Sequence, residues 1–118
     1  MFTLIAKAHF EAAHDIPGYP GKCARLHGHS YKVEAEFSSN KLDTIGMVRD
    51  LAELKDILNE FLPDHVYLND VLPFSTTVEN ISRWIFEQLE SRNLPVSAVT
   101  VWETEHNGCR YTPTKNCE

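Results

Sequence analysis

The amino-acid sequence predicts an α+β domain in which a four-stranded antiparallel sheet carries two helices on one face. Three observations predict it. Two early stretches alternate apolar and polar residues with period two, two central segments repeat apolar residues at helical spacing, and a Val- and Thr-rich run with a short partner follows near the end.

In the first stretch, Phe2, Leu4, Ala6, Ala8 and Phe10 fall on one side, and Thr3, Lys7, His9 and Glu11 on the other. That is the pattern of a half-buried strand. The run Pro17 to Gly21 breaks regular structure and predicts a loop leading to Cys23. Alternation returns from His29, with His29, Tyr31, Val33, Ala35 and Phe37 on one face and Ser30, Lys32, Glu34 and Glu36 on the other. Asp50 caps a helix with Glu53 three places on, and Leu51, Leu54, Ile57, Leu58, Phe61 and Leu62 form its apolar stripe up to a stop at Pro63. A second helix starts at Thr76 or Thr77, with Glu79 in the first turn and Val78, Ile81, Ile85 and Leu89 as its buried stripe. Val96 to Glu103 and Cys109 to Thr112 read as the last two strands, around a turn at Asn107-Gly108. Helices on one face leave the other face of the sheet to be covered, and association of several copies is the simplest cover.

A chain of 118 residues is the size of one domain, so residues 1–118 read as a single unit. With 42% hydrophobic and 24% charged residues, and no run of about 18 apolar residues, the composition excludes a helical membrane span. A net charge of -6 repels nucleic acid, although Lys22, Arg25 and Lys32 around the His-Gly-His segment suffice for one small phosphorylated anion. The first residues carry no export signal, so the cytoplasm is expected, where Cys23, Cys109 and Cys117 stay as thiols.

The chemistry concentrates on histidine. His27 and His29 flank Gly28 at the mouth of the second strand, and period two puts both rings on one face. Gly28 leaves the backbone between them open to close approach. If the first two strands form a hairpin, His14 at the end of Phe-Glu-Ala-Ala-His reaches the same place. Alone, a His-x-His pair is an ordinary polar pair on a strand; three convergent imidazoles with an open position are how catalytic zinc is held. Cys23 lies four residues before His27; it is either an inert buried thiol or, beside a metal and Lys22 or Arg25, a thiolate. Asp64-His65 after the first helix is a surface pair or a proton relay. Glu103 stands where alternation calls for a core residue; it is either a strand-end carboxylate in solvent or a buried one whose two oxygens suit a heterocycle presenting two N–H groups. His9 and His106 read as surface residues, and Cys109 and Cys117 as structural or incidental.

Taken in order, Phe-Glu-Ala-Ala-His (10–14), Cys-Ala-Arg-Leu-His-Gly-His (23–29), Gly-Met-Val-Arg-Asp-Leu (46–51), Asp-His-Val-Tyr-Leu-Asn (64–69), Thr-Val-Glu-Asn (77–80) and Glu-Thr (103–104) resemble the motifs of the 6-pyruvoyltetrahydropterin synthase superfamily across essentially the whole chain. The resemblance implies that His14, His27 and His29 hold zinc, Cys23 is the general base, and Asp64 and His65 are its partners in proton transfer. It further implies that Glu103 anchors a pterin ring, with Thr77 and Thr104 as further ring contacts. The fold it implies is the tunnelling fold, whose sheets close into a trimeric β-barrel, often paired into hexamers with sites between subunits. The three residues between Cys23 and His27 resemble the 6-carboxytetrahydropterin branch, which serves 7-deazaguanine and queuosine synthesis. Ser75-Thr76 and Val66 depart from that pattern, where Asn-Pro and a further His are common. The implied reaction converts 7,8-dihydroneopterin triphosphate to 6-carboxy-5,6,7,8-tetrahydropterin, acetaldehyde and triphosphate. The alternatives are triphosphate elimination to the 6-pyruvoyl product, a non-catalytic pterin- or purine-binding module, and a metal-dependent hydrolase.

Overall fold

In the computed structural model, residues 1–114 are described; Cys117 therefore lies outside the described residues. The two early alternating stretches form long strands, β1 (Phe2–His14) and β2 (His27–Ser39), paired antiparallel over their full length. Both reach further than the apolar alternation, because ladder hydrogen bonds continue through Ala12 to His14 and from His27, where the residue types no longer alternate cleanly. The amphipathic segments form α1 (Leu51–Phe61) and, later, α3 (Val78–Ser91). The last two strands are β4 (Val96–Trp102) and β5 (Gly108–Tyr111).

The sheet corrects the expectation of four antiparallel strands and two helices. It has five strands in the order β3-β1-β2-β4-β5, and β3 (Val66–Tyr67) runs parallel to β1 through Ala12↔Val66 and Ala13↔Tyr67. A strand of two residues is too short to leave a period in the sequence. One turn of helix, α2 (Leu68–Val71), follows it directly. Among the described residues no helix is long and apolar enough to cross a membrane.

One face of the sheet is the core. Phe10, Tyr31, Val33, Ala35, Phe37, Val99 and Val101 are buried there against Leu54 and Leu58 of α1 and Ile81, Ile85 and Leu89 of α3. Removing each of the Phe, Val, Leu and Ile side chains among them from water is worth about 1.5–3 kcal/mol, which offsets the entropy of ordering the helices. The helix-free face instead carries cross-strand polar pairs: Trp102 Nε1 donates to Glu34 at 2.8 Å, and Arg110 grips Glu36 with two bonds at 2.9 and 3.2 Å. Gly108 opposes Trp102 on β5, and a Cβ there would stand 2.7 Å from the indole, so only glycine lets that ring lie across the strand.

Helix starts follow from their caps. The Asp50 carboxylate accepts from Ala52 N at 2.9 Å and Thr77 Oγ1 from Asn80 N at 3.3 Å. Leu62 and Pro63 end α1 as its sequence predicts. Replacing Asp50 by Ala leaves a first-turn N–H without its side-chain acceptor and should cost about 1 kcal/mol in urea unfolding; a loss below about 0.3 kcal/mol would show that solvent caps α1 equally well.

Candidate metal centre and its cleft

The β1–β2 register builds the centre. His14 is paired directly with His27, and His29 stands two residues along the same face, so three imidazoles share the end of the hairpin. Their rings stand 4.6, 5.2 and 4.8 Å apart between centroids, for His14–His27, His14–His29 and His27–His29 respectively. One ring nitrogen from each lies within 4.8 Å of the others. Two nitrogens bound to one zinc ion at about 2.0–2.1 Å lie at most about 4 Å apart, so closing on an ion draws these donors in by roughly an ångström.

Backbone carbonyls set the tautomers. His14 Nδ1–H donates to the Thr76 carbonyl at 2.8 Å and His27 Nδ1–H to the Arg25 carbonyl at 2.7 Å, which leaves the lone pair of each ring on Nε2. His14 is fully buried and its Nε2 has no partner; His29 Nε2 is likewise buried without one. Buried polar atoms are rarely left so, and two at one point fit a cation that would satisfy both. Three imidazoles without a thiolate fit a metal ion that keeps an open coordination position rather than a closed structural site.

The Glu103 carboxylate lies 3.2 Å from His29 Nε2 and 3.8 Å from His14 Nε2. These contacts are not ion pairs, because burial pushes both rings below the ordinary imidazole value of 6.5. For His29 the neighbouring His14 and His27 rings push the same way; for His14 the bond to Thr76 opposes the shift without reversing it. Tyr31 stacks on Phe10 with centroids 4.7 Å apart and meets the His14 and His29 rings edge-on at 5.8 and 5.3 Å. Burial first, and then Glu103, push its phenol up, so it stays protonated.

Beside the rings opens a cleft of about 550 Å³, lined by Lys22, Cys23, His27, His29, Glu103, Thr104 and Asn107. Cys23 sits half-buried in a single 3-10 turn, Lys22–Ala24, and its carbonyl accepts from Ile16 N at 2.7 Å, which pins the loop back on the hairpin end. The structure thus brings Cys23, Glu103 and Thr104 to the three histidines. Thr104 Oγ1 also accepts from His106 N and Asn107 N, both at 3.2 Å, and so shapes the turn below the cleft. Thr77 does not line the cleft; its hydroxyl caps α3.

Asp64 and His65 lie elsewhere in this chain, at the β1 edge. Asp64 accepts from Glu11 N at 2.8 Å and contacts His65 Nδ1 at 2.8 Å, with 53% and 78% of the two side chains exposed. The Glu11 bond first, and His65 second, hold the Asp64 carboxyl below the usual carboxylate range. His65 has a φ of 58°, a left-handed conformation that costs a non-glycine residue about 1–2 kcal/mol. Of the three basic residues expected around His-Gly-His, Lys22 lines the cleft, Arg25 is exposed, and Lys32 turns to the helix-free face by the strand's period. Gly28 is exposed, and a Cβ there would meet only the Ala12 carbonyl at an ordinary 3.5 Å, so close approach is not what this glycine provides. His9 and His106 are exposed, as their sequence predicts, and Cys109 is half-buried beside Ser82.

Several contributors carry no sequence signal of their own. Thr76 and Arg25 act through backbone carbonyls, which every residue type possesses. Behind His14, Asn69 accepts from Asp15 N at 3.2 Å and Thr76 Oγ1 at 3.0 Å and donates to the Asp15 carbonyl at 2.9 Å, while the Tyr67 hydroxyl donates to the Asp15 carboxylate. Asp15 follows His14 directly, so this network fixes where β1 ends. Its one visible trace is the Tyr-Leu-Asn segment of the 64–69 motif.

Because the folded-state values of His14 and His29 lie below the unfolded 6.5, the unfolded chain takes up protons first as pH falls. The metal-free protein should be most stable above 6.5 and lose stability as pH drops from 6.5 toward the two depressed values. Thermal melts of chelator-treated protein across that window check this, and a melting temperature that rises on acidification would contradict it.

The family model described as 6-pyruvoyl tetrahydropterin synthase matches residues 3–114. A 6-carboxy-5,6,7,8-tetrahydropterin synthase from Synechocystis sp. is 41% identical, covering 94% of this chain and 93% of its own. A 6-pyruvoyl tetrahydrobiopterin synthase from Dictyostelium discoideum is 37% identical over 74% of this chain and 70% of its own. Among solved structures, the 6-pyruvoyl tetrahydropterin synthase of Caenorhabditis elegans superposes with a TM-score of 0.85 and 29% identity, covering 96% of each chain.

Proposed function

The chain belongs to the 6-pyruvoyl tetrahydropterin synthase family, and from that membership we propose that it is a cytoplasmic, zinc-dependent 6-carboxy-5,6,7,8-tetrahydropterin synthase acting on 7,8-dihydroneopterin triphosphate. The observation that carries the reading is the pair of buried, unpartnered Nε2 atoms of His14 and His29, joined by His27 at the wall of a cleft that also holds a thiol and a carboxylate. The Synechocystis relative's name and the short Cys23–His27 spacing favour the carboxy product over the pyruvoyl one.

His14, His27 and His29 would hold the zinc, which when bound supplies Lewis acidity toward the oxygens of the substrate side chain. Glu103, an acceptor through both carboxylate oxygens, receives N–H groups of the pterin ring and so fixes which carbon faces Cys23. Thr104 borders the same cleft and lends its hydroxyl to the ring. Thr77 would join it only through its hydroxyl proton, because its oxygen already accepts from Asn80. Cys23 as thiolate removes the side-chain proton, triphosphate departs, and retro-aldol cleavage with uptake of water releases acetaldehyde. Lys22 at the cleft offers charge to the phosphates.

Asp64 and His65 serve proton transfer in a neighbouring copy's cleft. Their exposure, their separation from Cys23 in this chain and the strained His65 backbone all suit a pair presented outward. On this reading the active site lies between subunits of a trimer whose sheets close a barrel, the helix-free face lining its interior, with pairing into a hexamer as a further step.

Incubation of zinc-loaded protein with 7,8-dihydroneopterin triphosphate should yield 6-carboxytetrahydropterin and acetaldehyde by mass spectrometry. A 6-pyruvoyl product would assign the chain to the other branch, and binding without turnover would make it a pterin-binding module. Cys23→Ala should keep zinc stoichiometry while lowering kcat by at least about a hundredfold; turnover at the wild-type rate would remove Cys23 as the base.

A further inference from the structure

Among the described residues, three buried side-chain polar atoms lack a partner: His14 Nε2, His29 Nε2 and the Tyr31 hydroxyl. All three belong to one place. A cation accounts for the two nitrogens, since a neutral imidazole offers a lone pair from the nitrogen that carries no proton. It does not account for the third, because a protonated phenol presents a hydrogen and needs an acceptor.

The ring that carries this hydroxyl cannot turn away to find one. Tyr31 is fully buried, and it lies nearly parallel to Phe10, its direct partner across β1 and β2, with an interplanar angle of 10°. Its edge-on contacts with His14 and His29 hold it beside the two rings whose Nε2 atoms are buried without a partner. What stays free is rotation of the O–H bond. A donor fixed this firmly, hydrogen-bonded to no protein acceptor, is prepared for an oxygen that arrives with the ligand.

Resting on the functional reading above, we infer that Tyr31 donates a hydrogen bond to a side-chain oxygen of the bound pterin, and so positions that side chain at the histidine cluster. The ring system of the pterin is not its target, since the ring's N–H groups are donors and Glu103 supplies their acceptor. Phosphate oxygens are not its target either, because Tyr31 lies at full burial while Lys22, the cleft's cation, is exposed. Discrimination follows: a site with a buried donor rejects an analogue that lacks the matching oxygen.

The test compares zinc-loaded wild type with Tyr31→Phe in binding two non-reacting pterins, neopterin, which carries the hydroxylated side chain, and 6-methylpterin, which does not. Tyr31→Phe should weaken neopterin binding by about tenfold and leave 6-methylpterin within about twofold. Its zinc stoichiometry should be unchanged, and the metal-free variant should melt no lower than wild type, since a buried hydroxyl without a protein partner only costs the empty fold its desolvation. Equal weakening of both pterins would place the hydroxyl on Glu103 or the ring, and no weakening of either would remove it from the ligand; both overturn the inference. A lower melting temperature for Tyr31→Phe would do the same by revealing a structural partner. If wild type binds neither pterin, the functional reading fails first and this inference with it.

Discussion

The structure depends on the register of one antiparallel pair. β1 and β2 are thirteen residues each, and their alignment sets His14 against His27 and Ala12 against His29. Side chains alternate faces along a strand, so a slip of one residue would turn the β2 imidazoles to the helix-free face and bury Ser30 and Lys32 in their place. The core prevents it. Phe10 on Tyr31, and Val33, Ala35 and Phe37 on the same face, are buried only in the observed register. The apolar contacts that stabilise the sheet thereby also place the three imidazoles, and the cluster at the hairpin's end inherits its precision from the hydrophobic body behind it.

That precision is spent on groups that do little for stability. Desolvation disfavours charge on His14 and His29, their Nε2 atoms have no protein partner, and Tyr31 buries a hydroxyl beside them. Each such atom costs the fold about 1–3 kcal/mol relative to a satisfied one. Their concentration within one cluster, in a chain whose other buried side-chain polar atoms among the described residues are paired, marks where packing has given way to chemistry. The carbonyls of Thr76 and Arg25 hold the His14 and His27 rings and the Asn69–Asp15–Tyr67 network holds the end of β1, so satisfied groups surround the unsatisfied ones.

Period-two and helical spacing made both long strands, both long helices and the two final strands legible, because each buries one face over enough residues to show a period. The two-residue β3 and the single-turn α2 fall below that length, and the parallel pairing of β3 with β1 is a tertiary choice that no local pattern encodes. The clustering of the three histidines was readable for a related reason: His27 and His29 share a face by alternation alone, and His14 needs only the hairpin. Tyr31 was not, since in the alternation it is one more large residue on the core face. Lys32 shows the opposite failure, nearness in sequence to His29 counting for nothing once the strand turns it to the other side.

All of this converges on whether the three rings bind one ion together. X-ray absorption spectroscopy on zinc-reconstituted protein measures that directly. The account predicts one zinc per chain with three imidazole nitrogens at about 2.0–2.1 Å and the remaining coordination from oxygen. A sulfur scatterer at about 2.3 Å, or a shell with fewer than three imidazoles, would contradict it.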